Sequence, residues 1–533
     1  MGRGAYKLSN RQKSGINRKW LIVTAAVILV ILVAGISYKI FFSKSSVEQA
    51  ISNLQFDDSV TEIEKQAIAK AFEEQAVTYD GSITVKVETV FEPTNSNAVL
   101  EAYIPVSNIY STRQNVTKDD LNGSSVSVSM DVDDSVRQSI ASTIGVDASK
   151  LKTSDKELKN ISDKEIVFIP ASKLSSDVKL LSIEDAYYLD SFKSGAIFRQ
   201  ASYAGSDVAS LTDVKVNTLP NKDTILKVNQ TGVTALTRLM QKKLTTVGSA
   251  TYFSEKIKGF LSDADIVHVS NEVSFRSGCT YSNVSFCSPS EFIKTLQDSG
   301  VNLVELTGNH NNDNGNEFNT ETINLYKSLG IETFGGGLNE EEAAKPYIAD
   351  KKGSKVAFIG YNAADGPNSG AVAGATTAGA NTYSDEKAKA DISAAKQNGQ
   401  FVIVDIQYPE CQAYPSGFVE FPECDQPIGN QVADFRALVD MGADIVVGTQ
   451  AHQPQTYEIY NGKPIYYGLG NLYFEQTQWP GTERGVILTH YFQNSKLIQT
   501  KLTPTIYDAA LQTRVSTNEQ AVFLLDRLKA ARP

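Results

Sequence analysis

The sequence predicts an α/β protein layered as an α/β/β/α sandwich, preceded by a membrane-spanning helix and a smaller mixed α/β domain. Three observations predict it. From Thr224 onward, six short apolar runs at 225–228, 266–269, 301–306, 356–359, 401–406 and 445–447 alternate with amphipathic segments, the pattern of buried strands joined by helices. After about residue 455 the pattern turns to strands and turns (YEIY, NGKPIYYG, RGVILTHYF, LIQTKL), and a simple three-layer sheet would satisfy the same order of elements. At the other end of the chain, a basic tail precedes a long apolar run.

At 533 residues the chain exceeds one ordinary core, so two folded domains with appendages are expected. Residues 1–19 form a basic cytoplasmic tail and 20–38 an anchor long enough to cross a bilayer as one helix. Positive charge before the span places the N-terminus inside and the bulk of the chain outside the cytoplasm, at the cell membrane as a single-pass protein. A cleaved signal peptide is the rival, but the run is longer than a signal core and shows no small-x-small site before Lys39. The first nineteen residues carry six positive charges and no acidic residue, so the net charge of −11 becomes −17 for the rest. Such an ectodomain is not a general polyanion binder, and nucleic acid is not expected as a partner.

Residues 45–215 read as the mixed α/β domain. Thr61 and Glu64 form a capping-box signal for a helix with Ile63, Ala67, Ile68, Ala71 and Phe72 on its core face. Ile83, Val85 and Val87 alternate as a half-buried strand; Val126, Val128, Met130 and Val132 repeat the pattern before a helix near 134–144. A polar stretch at 212–224, broken by Pro220 and Asn221, marks the boundary to a domain spanning 224–505. There, Ile428, Val432, Phe435, Leu438 and Val439 lie on one face of a helix stopped by Gly442, and Asn461 with Gly462 signals a hairpin. Residues 506–533 form a C-terminal helical tail. Cys279 with Cys287 and Cys411 with Cys424 are close pairs that suit two disulfides in an oxidising compartment, although four cysteines allow three connectivities.

The most informative stretch is VNLVELTGNHNNDNG at 301–315, where an apolar strand ends in a turn crowded with Asn, His and Asp. Gly308 permits the sharp turn that projects Asn309 and His310 from the strand's carboxyl end, the edge at which open α/β sheets bind ligands. Together with GADIVVGTQAHQPQTYEIYNGKPIYYGLGNLYFEQ at 442–476 and DIVHVSNEVSF at 265–275, this motif resembles the CapA or PgsA type capsule-synthesis proteins, associated with poly-γ-glutamate, whose domain is related to the calcineurin-like metallophosphoesterases. The resemblance covers roughly 224–505 and implies a layered metallophosphoesterase-like sandwich. Residues 165–190 resemble a segment of periplasmic-binding-protein-like domains.

The resemblance implies a metal-type centre at Glu272, Asn309 and His452, with His310 as acid or phosphate contact and Asp313 orienting it. Two divalent ions could there hold a phosphoryl or acyl oxygen and lower the pKa of a bound water. The sequence departs from the family pattern at three ligand positions. Val233 stands where the first motif, here TGVTALTR, carries a carboxylate, and Gln407 and Gln450 stand where histidines are usual. An amide oxygen has no anionic charge and is a poorer ligand for transition metals than imidazole. Three readings follow: a member with a degenerate cleft that binds capsule polymer or an envelope partner; an active hydrolase or transferase with a reduced centre on Glu272, His310, Asp313 and His452; or an extracytoplasmic ligand-binding receptor in the N-terminal region. The expected partners are the membrane and the envelope polymer or capsule-synthesis proteins. A divalent metal is the one cofactor the resemblance suggests, against the three substitutions, and composition is silent on oligomeric state.

Overall fold

A computed structural model of the chain describes residues 54–77, 83–123, 125–205, 211, 213–216, 219–282, 285–409, 411 and 422–533. The predicted basic tail and anchor lie outside these residues, and no described helix is long and apolar enough to cross a membrane. The chain divides into two compact units. One takes the chain up to Thr89, Pro93–Leu100 and Arg199–Thr218; the other takes Val90–Glu92, Glu101–Phe198 and Leu219–Pro533.

In the first unit, β1 (Gln55–Phe56) is followed by helix α1 (Glu62–Glu74) and by β2 (Thr84–Val90), which pairs with β1 in parallel. The capping box forms as the sequence predicts: Thr61 accepts from the Glu64 N–H, and the Glu64 carboxylate accepts from the Thr61 N–H. The buried stripe of α1, however, is Glu64, Ile68, Ala71 and Phe72, and Ile63 is 80% exposed. The expectation that Ile63 faces the core is therefore corrected. The helix is rotated so that Glu64 points inward, where the Arg199 Nε and Nη2 atoms each donate to its carboxylate at 2.8 Å. Arg199 also donates to Ser59 O and Thr89 Oγ1, so this buried guanidinium is held on several sides. Replacing Arg199 with Met would leave Glu64 buried without its cation. The expected cost is about 3–5 kcal/mol of unit stability, measured by urea unfolding and by faster proteolysis around α1.

The second unit begins with a lobe. Strand β3 (Val99–Asn108) is followed by β4 (Val126–Ser129), helix α2 (Asp134–Ile144), β5 (Lys152–Ser154) and β6 (Ile166–Pro170). β4 lies between β5 and β6, parallel to both, and β6 runs antiparallel to β3. Val128, Val136, Ile140 and Phe168 form its core. Met130, which the alternating pattern places on the core face, is 66% exposed. The strand stops at Ser129, and Met130 stands in the turn before the Asp133 cap, so the period-two pattern ends one residue too early to bury it.

The remainder is a sandwich. The first sheet opens with four strands joined in parallel: β7 (Leu226–Thr234), β8 (Ile266–Asn271), β9 (Leu303–Glu305) and β10 (Glu332–Phe334). Helices α3 (Arg238–Val247) and α4 (Asn316–Ser328) occur between them. The chain then builds a second sheet from β11 (Tyr347–Lys351), β12 (Ser354–Asn362), β13 (Phe401–Gln407), β14 (Ile445–Thr449), β15 (Pro454–Tyr460) and β16 (Lys463–Leu469), with helices α5 (Asp385–Gln397) and α6 (Gln431–Asp440) inserted. It returns to the first sheet through β17 (Asn471–Tyr473), β18 (Arg484–Gln493), β19 (Lys496–Tyr507) and β20 (Thr513–Val515), and ends in α7 (Asn518–Ala530). The strand orders are 10-9-8-7-18-19-20, with β17 beside β7, and 11-12-13-14-16-15.

Side-chain alternation explains the layering. Leu226, Val228, Ile266 and Leu303 face Val356, Phe358, Ile403 and Ile445 in one core between the sheets. Val267, Val269, Val304 and Leu306 point outward against residues such as Ile323 and Tyr326 of α4. On the other side, Ala357, Val402, Val404 and Val446 meet Ile392 of α5 and Phe435 and Leu438 of α6. Each sheet is thus buried on both faces, which is why its strands read as continuous apolar runs. The β15–β16 hairpin turns at Asn461 and Gly462, both at positive φ (49° and 74°), as a two-residue turn with matched twist requires.

Candidate functional site

The carboxyl ends of the parallel strands β7, β8, β9, β12, β13 and β14 supply residues that meet at one edge of the sandwich, and the loops leaving them carry the site. After β9 the chain turns at Gly308, where an added Cβ would lie 2.5 Å from the Glu272 Cα. Only glycine lets this loop rest against the end of β8, and that contact places Asn309 and His310 beside Glu272. Asn311 secures the turn by donating to Asn271 O at 3.2 Å.

His310 Nδ1 lies 2.9 Å from Asp313 Oδ2, and the same oxygen accepts from the Phe286 N–H at 2.8 Å. This fixes one ring nitrogen and with it the orientation of the imidazole. The Phe286 ring meets His310 edge-on, with centroids 4.7 Å apart. Phe286 precedes Cys287, which is disulfide-bonded to Cys279; Cys411 and Cys424 form the second disulfide. Loops this short are worth roughly 2.5–3 kcal/mol each in the chain-entropy picture. The first also restrains the segment that holds Asp313.

His452 follows β14 and is buried, with Nδ1 3.0 Å from Asn471 Oδ1 and the Phe474 ring 5.0 Å away. Burial pulls its pKa down to about 3; the Asn471 contact opposes this, and the nearby positive charges of His310 and Arg238 add to it. His452 is therefore neutral at physiological pH, and the same burial makes it a poor proton acceptor.

The glutamines at the other strand ends do not point at a common ion. Gln407 Nε2 donates to Asn309 Oδ1 at 3.2 Å and to Gln450 Oε1, while Gln407 Oε1 accepts from Asn362 Nδ2 at 3.0 Å. Asn362 donates in turn to Thr307 O at 2.9 Å. Four carboxamides are thus linked in one hydrogen-bonded chain, which ends on a carboxylate where Asn362 Nδ2 also donates to Asp365 Oδ2 at 3.1 Å. Gln450 holds its place at φ 80°, an uncommon conformation for a residue with a Cβ. Val233 is buried in an apolar cluster with Ala235, Val273 and Phe474. Among the described residues, no three His, Cys, Asp or Glu side chains are grouped in a way that could hold a metal ion.

Arg238, Phe286, Phe474, Asn362 and Asn471 also belong to the site; Arg238, Asn471 and Phe474 lie within the quoted segments, which mark other positions as site residues, and Phe286 and Asn362 lie outside them. Arg238 ends the TGVTALTR segment and begins α3 at φ 54°, with its guanidinium carbon 5.6 Å from the centroids of both Phe286 and Phe474. No spacing rule signals this arrangement, because each partner comes from a different loop.

Behind the cleft, a polar chain crosses the core between the sheets. Gln230 of β7 donates to Asp405 Oδ1 of β13 at 2.5 Å, and His268 Nε2 of β8 lies 2.9 Å from Asp405 Oδ2. His490 joins through its Nε2, 3.1 Å from Gln230 Oε1, and burial holds its pKa down near 3. Glu305, fully buried, has its pKa raised to about 8 by desolvation first and by the neighbouring Asp405 second. The folded state keeps this proton where the unfolded chain releases it, so the contribution of Glu305 is complete below about pH 4.5 and is lost as pH rises through about 8. Glu305→Gln removes that loss. The variant is expected to be more stable than the wild type at pH 8 but not at pH 4, by up to several kcal/mol, because a tenfold difference in proton affinity between the folded and unfolded states is worth about 1.4 kcal/mol. Thermal unfolding at the two pH values measures it, and equal effects at both would contradict the assignment.

Residues 227–476 match the family of bacterial capsule synthesis proteins designated PGA_cap. The capsule biosynthesis protein CapA of Bacillus anthracis is 26% identical over 217 residues, which is 40% of this chain and 49% of that protein. The PGA biosynthesis protein CapA of Bacillus subtilis (strain 168) is 26% identical over 215 residues, 40% of this chain and 53% of its own. The chain thus spans about half the length of these curated relatives. Among solved structures, the NAD nucleotidase NadN of Haemophilus influenzae overlaps 58% of this chain and 56% of its own, with 12% identity and a TM-score of 0.30.

Proposed function

Because residues 227–476 match the family of bacterial capsule synthesis proteins, we propose that the chain serves the synthesis or export of an envelope polymer of the poly-γ-glutamate type. In this reading it is a membrane-anchored extracytoplasmic protein whose metallophosphoesterase-like cleft binds polymer rather than cleaving it. The observation that carries the binding role is the carboxamide chain. A two-metal centre needs several anionic or imidazole donors converging within a few ångströms. Here Asn309, Gln407 and Gln450 are hydrogen-bonded into one network with Asn362, and Val233 is packed among apolar side chains. These residues do not fit a dinuclear metal site.

A second reading, an active hydrolase or transferase with a reduced centre, is favoured by the His310–Asp313 pair, whose geometry suits a general acid. Elemental analysis of the purified protein beside His310→Ala and His452→Ala separates the two. The binding reading expects metal far below one ion per chain and no turnover of phosphoesters or glutamyl polymer in any of the three proteins. Near-stoichiometric metal in the wild type, lost in both variants together with turnover, would establish the enzyme instead.

A further inference from the structure

We infer that Arg238 is the recognition residue of the site, receiving one carboxylate group of an acidic ligand on the side where His310 is exposed; the inference rests on the polymer-binding reading above and names the chemistry that would be bound. Arg238 is half-buried, yet among the described residues no carboxylate oxygen lies within 4.0 Å of its guanidinium and no side-chain hydrogen bond engages it. A guanidinium at this depth is normally paired, because its charge is only partly solvated. Instead, two phenyl rings hold it, Phe286 and Phe474, each 5.6 Å from the guanidinium carbon. Each of those rings also touches one imidazole, Phe286 that of His310 and Phe474 that of His452. The arrangement groups one fixed cation, two imidazoles and two phenyl rings, with Arg238, Phe286 and His310 partly exposed and Phe474 and His452 buried behind them.

The acids around it are otherwise engaged. Asp313 is bonded to His310 and to the Phe286 N–H, and Glu475, whose carboxyl feels the charge of Arg238, accepts from the Leu239 N–H at 2.6 Å. Aromatic contacts restrain the guanidinium without using its N–H groups, which remain available as a two-pronged donor that matches a planar carboxylate. One cation balances one negative charge. A dianionic phosphate would meet the same donors but also the field of Glu272, Asp313 and Glu475, so the cleft favours the monoanion. The backbone at Arg238 supports a specific role, since φ 54° is an unusual start for a helix and strained for any side chain.

The test is calorimetric titration of the full-length protein with a γ-linked glutamate hexamer in chelator-containing buffer, alongside the same hexamer with its carboxyl groups esterified and inorganic phosphate. Saturable binding of the acidic hexamer is expected, with affinity reduced by about tenfold or more in Arg238→Gln, a smaller loss in Arg238→Lys, and neither the ester nor phosphate bound comparably. Gln and Lys share the backbone preferences of Arg at this φ, so thermal midpoints should stay within a few degrees; should the Gln variant fail to fold, the Lys variant carries the comparison. Unchanged affinity in the folded variant, or equal binding of the ester or of phosphate, would overturn the Arg238 assignment while leaving polymer binding intact. No binding of the hexamer by the wild type would instead remove the polymer-binding reading and this inference with it.

Discussion

The carboxyl group of Asp405 is fully buried between the two sheets of the sandwich, and the strands arrange themselves around the need to satisfy it. Gln230 reaches it from β7 and His268 from β8, while Asp405 itself sits on β13. Gln230 donates to Asp405 Oδ1, whereas Oδ2 and His268 Nε2 stand 2.9 Å apart without hydrogen-bond alignment; a slip of one residue in β7 or β13 would break the Gln230 bond, so that bond ties the two sheets into one register. The consequence is felt at the strand ends. Gln407 lies two residues beyond Asp405 on the same face of β13, and the register that pairs Asp405 with Gln230 also delivers Gln407 to Asn309 and Gln450. The inter-sheet core therefore sets the strand ends from which the loops of the site are built.

That cleft combines features seldom found together. It lies at the carboxyl edge of parallel strands, and it retains Glu272, Asn309, His310 and His452 at positions where the family resemblance implies metal-binding chemistry. Its centre nevertheless contains a hydrogen-bonded run of carboxamides and an apolar packing cluster. Hydrogen-bonded amides inside a protein are stable because each donor and acceptor is used; opening them to ligate an ion would expose groups that are expensive to leave unpaired. Positive charge is supplied at the side of the cleft by Arg238, on two aromatic rings, and His452 stays neutral beside it. The proposed binding role draws on this combination of one fixed cation and uncharged neighbours.

Much of the scaffold is readable from pattern alone. The continuous apolar runs from 225 to 447 are the buried strands, the Asn461–Gly462 turn joins the predicted hairpin, and the Thr61 capping box forms with both of its reciprocal bonds. The departures have a common cause. Helical spacing assigns Ile63 to the core, but the helix turns to bring Glu64 to Arg199, because an internal ion pair outweighs one isoleucine at the helix's first turn. Met130 continues an alternation that its strand does not, and is left in a turn. Local periodicity reports which face a residue could take; it cannot report a competing partner more than a hundred residues away.

The site divides along the same line. GNHNNDNG is enough to locate a polar turn at a strand end, since glycine, a preceding apolar strand and a cluster of turn-forming side chains are all local properties. Likewise, the presence of Val233, Gln407 and Gln450 in place of charged or imidazole side chains is visible without coordinates. What requires the folded chain is the partnering: that Asn362, Gln407, Asn309 and Gln450 are linked in one hydrogen-bonded chain, that Cys287 restrains the loop carrying Phe286, and that Arg238 rests on Phe286 and Phe474. Apart from the Cys279–Cys287 link, which spans 8 positions, these contacts join residues tens to hundreds of positions apart. They follow from sheet register and loop path, which depend on the packing of the whole sandwich and leave no periodic trace in the residues involved.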